Sequence, residues 1–179
     1  MKKYLPLVLI TPVVVLLDQL TKGWILQNIP YQTVRAVWPG YFDLVHFRNP
    51  GVAFSMLDGL VGQGHQWFFF LVTAVAATAL LWLYAKSPEK DRGTQIPLAF
   101  ILGGALGNVI DRALHGEVID FLYFHWQQRV ADFDLFGRHF HFVLAWPAFN
   151  VADSAITCGA LFLALKVLFL DSKVKDKRS

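Results

Sequence analysis

Charge is what this chain has least of. Only 16% of its 179 residues are Asp, Glu, Lys or Arg, against 55% that are hydrophobic. That leaves too little polar surface to coat a water-facing globule, which argues against a soluble domain. Cysteine is nearly missing: Cys158 stands alone, which rules out an internal disulfide and a thiolate metal cluster. No histidine shares its apolar run, so Cys158 reads as a small buried hydrophobe rather than a nucleophile. HExxH is missing, as is a serine beside a base. The net charge of +3 comes without an aromatic-interleaved basic patch, so nucleic acid is not an expected partner.

What the chain does have is long uncharged windows. A spanning helix needs about 20 mostly apolar residues. Four windows qualify, at about 4–26, 67–85, 95–113 and 148–170. The first follows Lys2 and Lys3 as a secretory signal would, but no small-x-small cleavage site follows it, and it is read as an uncleaved span. Lysine and arginine near span ends favour the cytoplasm. They flank the first span, occupy SPEKDRGT, and close the chain at Lys173, Lys175, Lys177 and Arg178. Four spans put all three segments on one side. The connections 27–66 and 114–147 then face outward, and their aromatic, partly alternating sequences suggest small sheets or surface-lying pieces. Trp67 and Trp146 at outer ends, and Trp82 and Tyr84 at an inner end, fit an aromatic belt. In GGALG, Gly103 and Gly107 suit a close helix contact. The expected architecture is all-α in the membrane with small β elements: four transmembrane helices plus a small extracytoplasmic β-cradle or flap on the membrane surface.

Polar residues break the apolar windows at one depth. Asp18 and Lys22 lie in the outer half of the first span, Asn108, Asp111 and Arg112 near the outer end of the third, and Asn150 and Asp153 at the outer start of the fourth. Residues three or four apart share a helix face. Ionisable groups in a membrane cost several kcal/mol unless paired or wetted. Asp18–Lys22 and Asp111–Arg112 therefore have a structural reading as ion pairs that hold the bundle. Asp153 early in its helix has a capping reading. Asp120 and Asp153 have no cation near in sequence, and two carboxylates at a wet cavity suggest acid/base chemistry or ion handling. Brought together, two carboxylates share one proton, as in aspartic proteases. The six histidines lie outside the spans. His139 and His141, at alternate positions, could bind metal, although a plain aromatic strand is the stronger reading.

Five blocks carry a resemblance: DQLTK (Asp18 to Lys22), FRNPGVAFS (Phe47 to Ser55), GGALGNVIDR (Gly103 to Arg112), GEVIDF (Gly116 to Phe121) and FNVADS (Phe149 to Ser154). In this order the chain resembles the lipoprotein signal peptidases, the bacterial type II signal peptidases. The resemblance implies an aspartic endopeptidase of the bacterial inner membrane, with both termini cytoplasmic and its site toward the extracytoplasmic side. It would remove signal peptides from diacylglyceryl-modified prolipoproteins just before the lipidated cysteine. It also implies that Asp120 and Asp153 are the catalytic pair. Asn108 and Asn150 then hydrogen-bond substrate or dyad, Asn49 meets the substrate backbone, and Arg112 lies close by. Asp111, Asp18 and Lys22 support the site. No metal or cofactor is implied, the partners are substrate and membrane lipids, and the chain is expected to act as a monomer. Pro50 and Val52 depart from the family pattern, and WQQRVADFDLFGRHFHF makes the second connection longer than common members carry. The competing reading is a small proton- or cation-coupled transporter using intramembrane carboxylates.

Overall fold

A computed structural model of the chain describes residues 2–50 and 65–171, without the side chains of 65–69, 128, 170 and 171. The part of FRNPGVAFS after Pro50, the Trp67 side chain and the four tail cations lie outside the described residues.

After a short 3-10 turn at Lys2–Tyr4 come α1 (Leu5–Asn28), β1 (Val34–Trp38), β2 (Phe42–Asn49), α2 (His65–Lys86) and α3 (Arg92–His115). Then follow β3 (Val118–Leu135), β4 (Arg138–Ala145) and α4 (Val151–Leu165), which runs on as a π-helical turn at Lys166–Asp171. Among the described residues, three stretches are long and apolar enough to cross a membrane: Lys2–Asn28, Arg92–His115 and Val151–Phe169. The described part of α2, Phe70–Lys86, forms a shorter apolar helix. Helices are the expected solution here, because a lone segment in hydrocarbon must satisfy its own backbone groups. Helix α3 has both ends written locally. Asp91 caps its start by accepting the Thr94 N–H at 3.2 Å. Gly116, left-handed at φ 78, stops it and returns its N–H to the Arg112 carbonyl.

The chain divides into two compact units. The first comprises Met1–Thr21, Pro50–Val118 and Val151–Ser179; the second comprises Lys22–Asn49 and Ile119–Asn150.

The first unit is helical, and α3 against α4 is its most extensive contact. Glycine lets the backbones meet. A Cβ on Gly103 would sit 2.7 Å from the Val14 Cβ, and one on Gly107 would sit 2.6 Å from Asp18 Oδ2. The small residues of GGALG thus serve the close packing their spacing suggests. At one end of this unit the N-terminal turn, the end of α2, the start of α3 and the end of α4 are tied together. Lys3 Nζ donates to the Ala85 carbonyl, Arg92 to the Lys2 carbonyl, and Lys166 Nζ to Asp91 at 2.6 Å.

Three expectations need correcting in this unit. Tyr84 is 1% exposed, stacks on Tyr4 and donates its hydroxyl to the Lys3 carbonyl, so it packs the bundle instead of sitting in a belt; Trp82 is exposed. Cys158 is exposed, not buried. In a lipid-facing bundle both helix faces are apolar, so composition does not tell inside from outside. His115 ends the apolar stretch Arg92–His115, whereas all six histidines were expected outside the spans.

The second unit is built on a four-stranded sheet of order β1-β2-β3-β4. β1 and β2 pair antiparallel, as do β3 and β4. Its core holds Ile25, Ile29, Val45, Ile119 and Phe121, all buried. Phe124 stacks on both Phe42 and Phe149. Two buried polar contacts brace the core: His46 Nδ1 donates to the Ile29 carbonyl, and His125 Nε2 lies 2.9 Å from Asp43 Oδ2.

Candidate active site

In the helical unit, polar side chains from α1, α3 and α4 gather at one level. Asp18 is fully buried, and its Oδ1 accepts the Ala152 N–H at 2.9 Å. Ala152 is the second residue of α4, where backbone N–H groups lack helical partners and the dipole favours an anion. Asp18 is therefore a cap supplied from another helix. It takes up part of the capping role considered for Asp153. Gln19 stitches the same layer: its Nε2 donates to Asp18 Oδ2 at 3.2 Å, to the Gly107 carbonyl at 3.2 Å and to Asp111 Oδ1 at 2.9 Å. Asp111, 1% exposed, is thus held to α1. Arg112 Nη1 reaches back toward the Asn108 carbonyl at 3.4 Å.

Asp153, in the first turn of α4, is half-buried, and its Oδ1 accepts from Asn108 Nδ2 at 2.8 Å. The two asparagine-and-aspartate echoes of the sequence meet here, the asparagine of one holding the aspartate of the other.

The sheet unit makes the same kind of clamp around Asp120. This residue lies near the start of β3 and is 3% exposed. Asn150 Nδ2 donates to Asp120 Oδ1 at 2.8 Å, and Asn49 Nδ2 donates to Oδ2 at 3.0 Å. Backbone bonds fix the geometry. The Phe121 and Leu122 N–H groups both reach the Phe149 carbonyl, and the Phe149 N–H returns to the Leu122 carbonyl. The start of β3 is thereby laced to the residue before Asn150, and the last residue of β2 supplies Asn49. Lys22, at 1% exposure, belongs to this unit as well.

A carboxylate in such a place needs donors, since burying it bare is costly. Amide donors orient its oxygens, and each oxygen keeps further lone-pair capacity for substrate or water. So held, a carboxylate can take a proton from water or, when protonated, give one to a carbonyl or amine.

Sequence reasoning missed three polar residues. Gln19 carried a signal, being a second polar residue beside Asp18 inside an apolar window. Asp43 and His125 carried none, because they lie 82 residues apart and only the sheet joins them.

Comparison with known proteins gives concordant results. The family model described as "Signal peptidase (SPase) II" matches residues 10–169. A lipoprotein signal peptidase of Syntrophus aciditrophicus is 40% identical over 178 residues, covering 99% of both chains. One from Listeria welshimeri is 38% identical over 167 residues, covering 93% of this chain and 96% of the relative. A solved structure described as a bacterial membrane enzyme is 31% identical with a TM-score of 0.70, over 92% of this chain and 93% of that one. A second, of the same description, is 32% identical with a TM-score of 0.69, over 90% and 87%.

Proposed function

The chain belongs to the signal peptidase II family, and from that premise we propose that Asp120 and Asp153 are its two catalytic carboxylates. The protein is an aspartic-type membrane peptidase that removes signal peptides from prolipoproteins. The observation that supports the choice of residues is the amide clamping: Asn49 and Asn150 on Asp120, and Asn108 on Asp153. Asp18 and Asp111 are instead occupied with α4 and Gln19 as parts of the frame. The transporter alternative finds no support among the relatives.

The reaction uses one ionised and one protonated aspartate. The ionised member takes a proton from water as the water attacks the scissile carbonyl. The protonated member donates a hydrogen bond to that oxygen as it becomes tetrahedral, and a proton then passes to the leaving amine. Two carboxylates acting on one peptide bond settle into this state because they cannot both ionise cheaply. Asn108 and Asn150 hold the pair, Asn49 holds Asp120 and meets the substrate backbone, Arg112 lies close by, and Lys22 supports the site. The substrate is a prolipoprotein carrying a diacylglyceryl-modified cysteine and is cut just before that residue. Its acyl chains remain in the surrounding lipid, and one copy of the chain suffices.

The single peptidase domain crosses the inner membrane four times, with α2 as the second span and both termini in the cytoplasm. The ties of Lys3 to Ala85, Arg92 to Lys2 and Lys166 to Asp91 support this arrangement, since they gather two basic segments and the end of α4 at one end. The active site then faces the extracytoplasmic side.

The test is cleavage of a diacylglyceryl-modified prolipoprotein by the purified enzyme in detergent, read as a shortened product. Asp120→Asn and Asp153→Asn should each abolish the product while the circular dichroism spectrum stays that of the wild type. Normal cutting by either variant would remove that residue from the mechanism.

A further inference from the structure

The β3–β4 hairpin carries a polar cluster that the peptidase reaction does not use. Its turn has two central residues, Phe136 and Gly137, at φ 51 and 73. Both values are positive, as in the two-residue turns that match strand twist. Beyond the turn the rungs are in strict register, with Asp134 opposite His139 and Asp132 opposite His141. Side chains two apart on a strand share a face. Two histidines and two aspartates therefore stand on one face of the hairpin, on alternate rungs. The opposite face carries the aromatic residues, with Phe133 stacked on Phe140 and edge-on to Phe142.

The contacts within the cluster pose a proton-counting problem. His139 Nδ1 lies 3.0 Å from Asp134 Oδ1, and His139 Nε2 lies 3.0 Å from Asp132 Oδ1. A neutral imidazole has one N–H and one lone pair. With Nδ1–H donated to Asp134, the Nε2 lone pair faces a carboxylate oxygen. That approach is attractive only if a cation lies between them, either a second proton or a metal ion. The other oxygen of Asp132 faces His141 Nδ1 at 3.3 Å. Ligand atoms of Asp132, His139 and His141 all lie within 4.8 Å of one another. In a tetrahedral zinc site, with bonds near 2.0–2.1 Å, neighbouring ligand atoms are about 3.3 Å apart. Small side-chain rotations bring the set to that spacing.

We propose that the hairpin is a divalent transition-metal site, with His139 Nε2, His141 Nδ1 and an Asp132 oxygen as ligands and water completing the shell. Two imidazoles and a carboxylate suit zinc. Asp134 accepts the Nδ1–H of His139 and holds its ring, the arrangement that commonly backs a metal-bound histidine. The ion cross-links the two strands close to the turn. It takes no part in peptide cleavage, so the site stands apart from the proposed function.

The experiment uses the full chain in detergent, free of any polyhistidine tag, titrated with Zn²⁺ by calorimetry and with Co²⁺ by visible absorbance. The expected result is one equivalent bound at micromolar free metal, with the intense bands of tetrahedral Co²⁺. His139→Ala with His141→Ala should lose that binding. Asp134→Asn should weaken it about 10- to 100-fold, as removal of such a supporting contact does. His115→Ala should leave it unchanged. Failure to bind at micromolar Zn²⁺, or equal binding by the His139→Ala/His141→Ala protein, overturns the site and assigns the cluster to ordinary His–Asp pairing. Prolipoprotein cleavage, measured on the same samples, shows that every variant is folded.

Discussion

Replacing Gly107 by alanine tests the packing that frames the proposed site. The new methyl carbon would lie 2.6 Å from Asp18 Oδ2, 3.1 Å from its Cγ and 3.3 Å from the Ala152 Cβ. Asp18 has little freedom to withdraw, since its other oxygen is tied to the Ala152 N–H and Oδ2 to Gln19. Overpacking of this kind costs about 1–3 kcal/mol. Displacing the carboxylate also breaks a hydrogen bond to a charged group, worth about 1.5–3 kcal/mol more. Gly107→Ala should therefore destabilise the protein by about 2.5–6 kcal/mol, read by tryptophan fluorescence during SDS titration of the micellar protein. Asp18→Ala costs the cap, about 0.5–2 kcal/mol, but opens space for the methyl. In the double variant the clash has gone, so the two costs should fall short of additivity by about 1 kcal/mol or more. A Gly107→Ala protein as stable as the wild type, or costs that simply add, would refute the reasoning.

Two further outcomes follow from contacts already described. Asn150→Ala removes a 2.8 Å hydrogen bond from Asp120, which at about 1.5–3 kcal/mol should lower kcat about 10- to 100-fold with little change in KM; an unchanged kcat would mean that Asp120 needs no such support. Burial pushes the Asp91 carboxyl up, but hydrogen bonds from Lys166 and Thr94 outweigh it and hold the group below its ordinary value. A folded-state value below the unfolded one stabilises the fold above the unfolded pKa of about 4, and that stability is lost as the pH falls through the folded value. Asp91→Asn should then unfold more easily than the wild type at neutral pH and equally easily in strong acid, and a gap that persists in acid would contradict it.

Much of the helical scaffold was legible because each signal is local. A run of about 20 apolar residues is a property of one segment, and α1, α2, α3 and α4 begin and end within a few residues of the expected windows. The same holds for the stop at Gly116 and the close approach at Gly103 and Gly107. Small sheets or surface-lying pieces were expected in the connections 27–66 and 114–147 from their aromatic, partly alternating sequences, without pairing, register or length.

The one-dimensional pattern was enough to set which segments are apolar and which few positions carry carboxylates and amides, because hydrocarbon tolerates so few of them. Only folding in three dimensions decided what those side chains do: Asn108 reaching Asp153 across 45 residues, Asn49 reaching Asp120 across 71, and Asp18 capping α4 across 134. Hydrogen bonds act over about 3 Å and are indifferent to separation along the chain. Partners so distant in sequence are chosen by how helices and strands pack, which composition and periodicity do not encode.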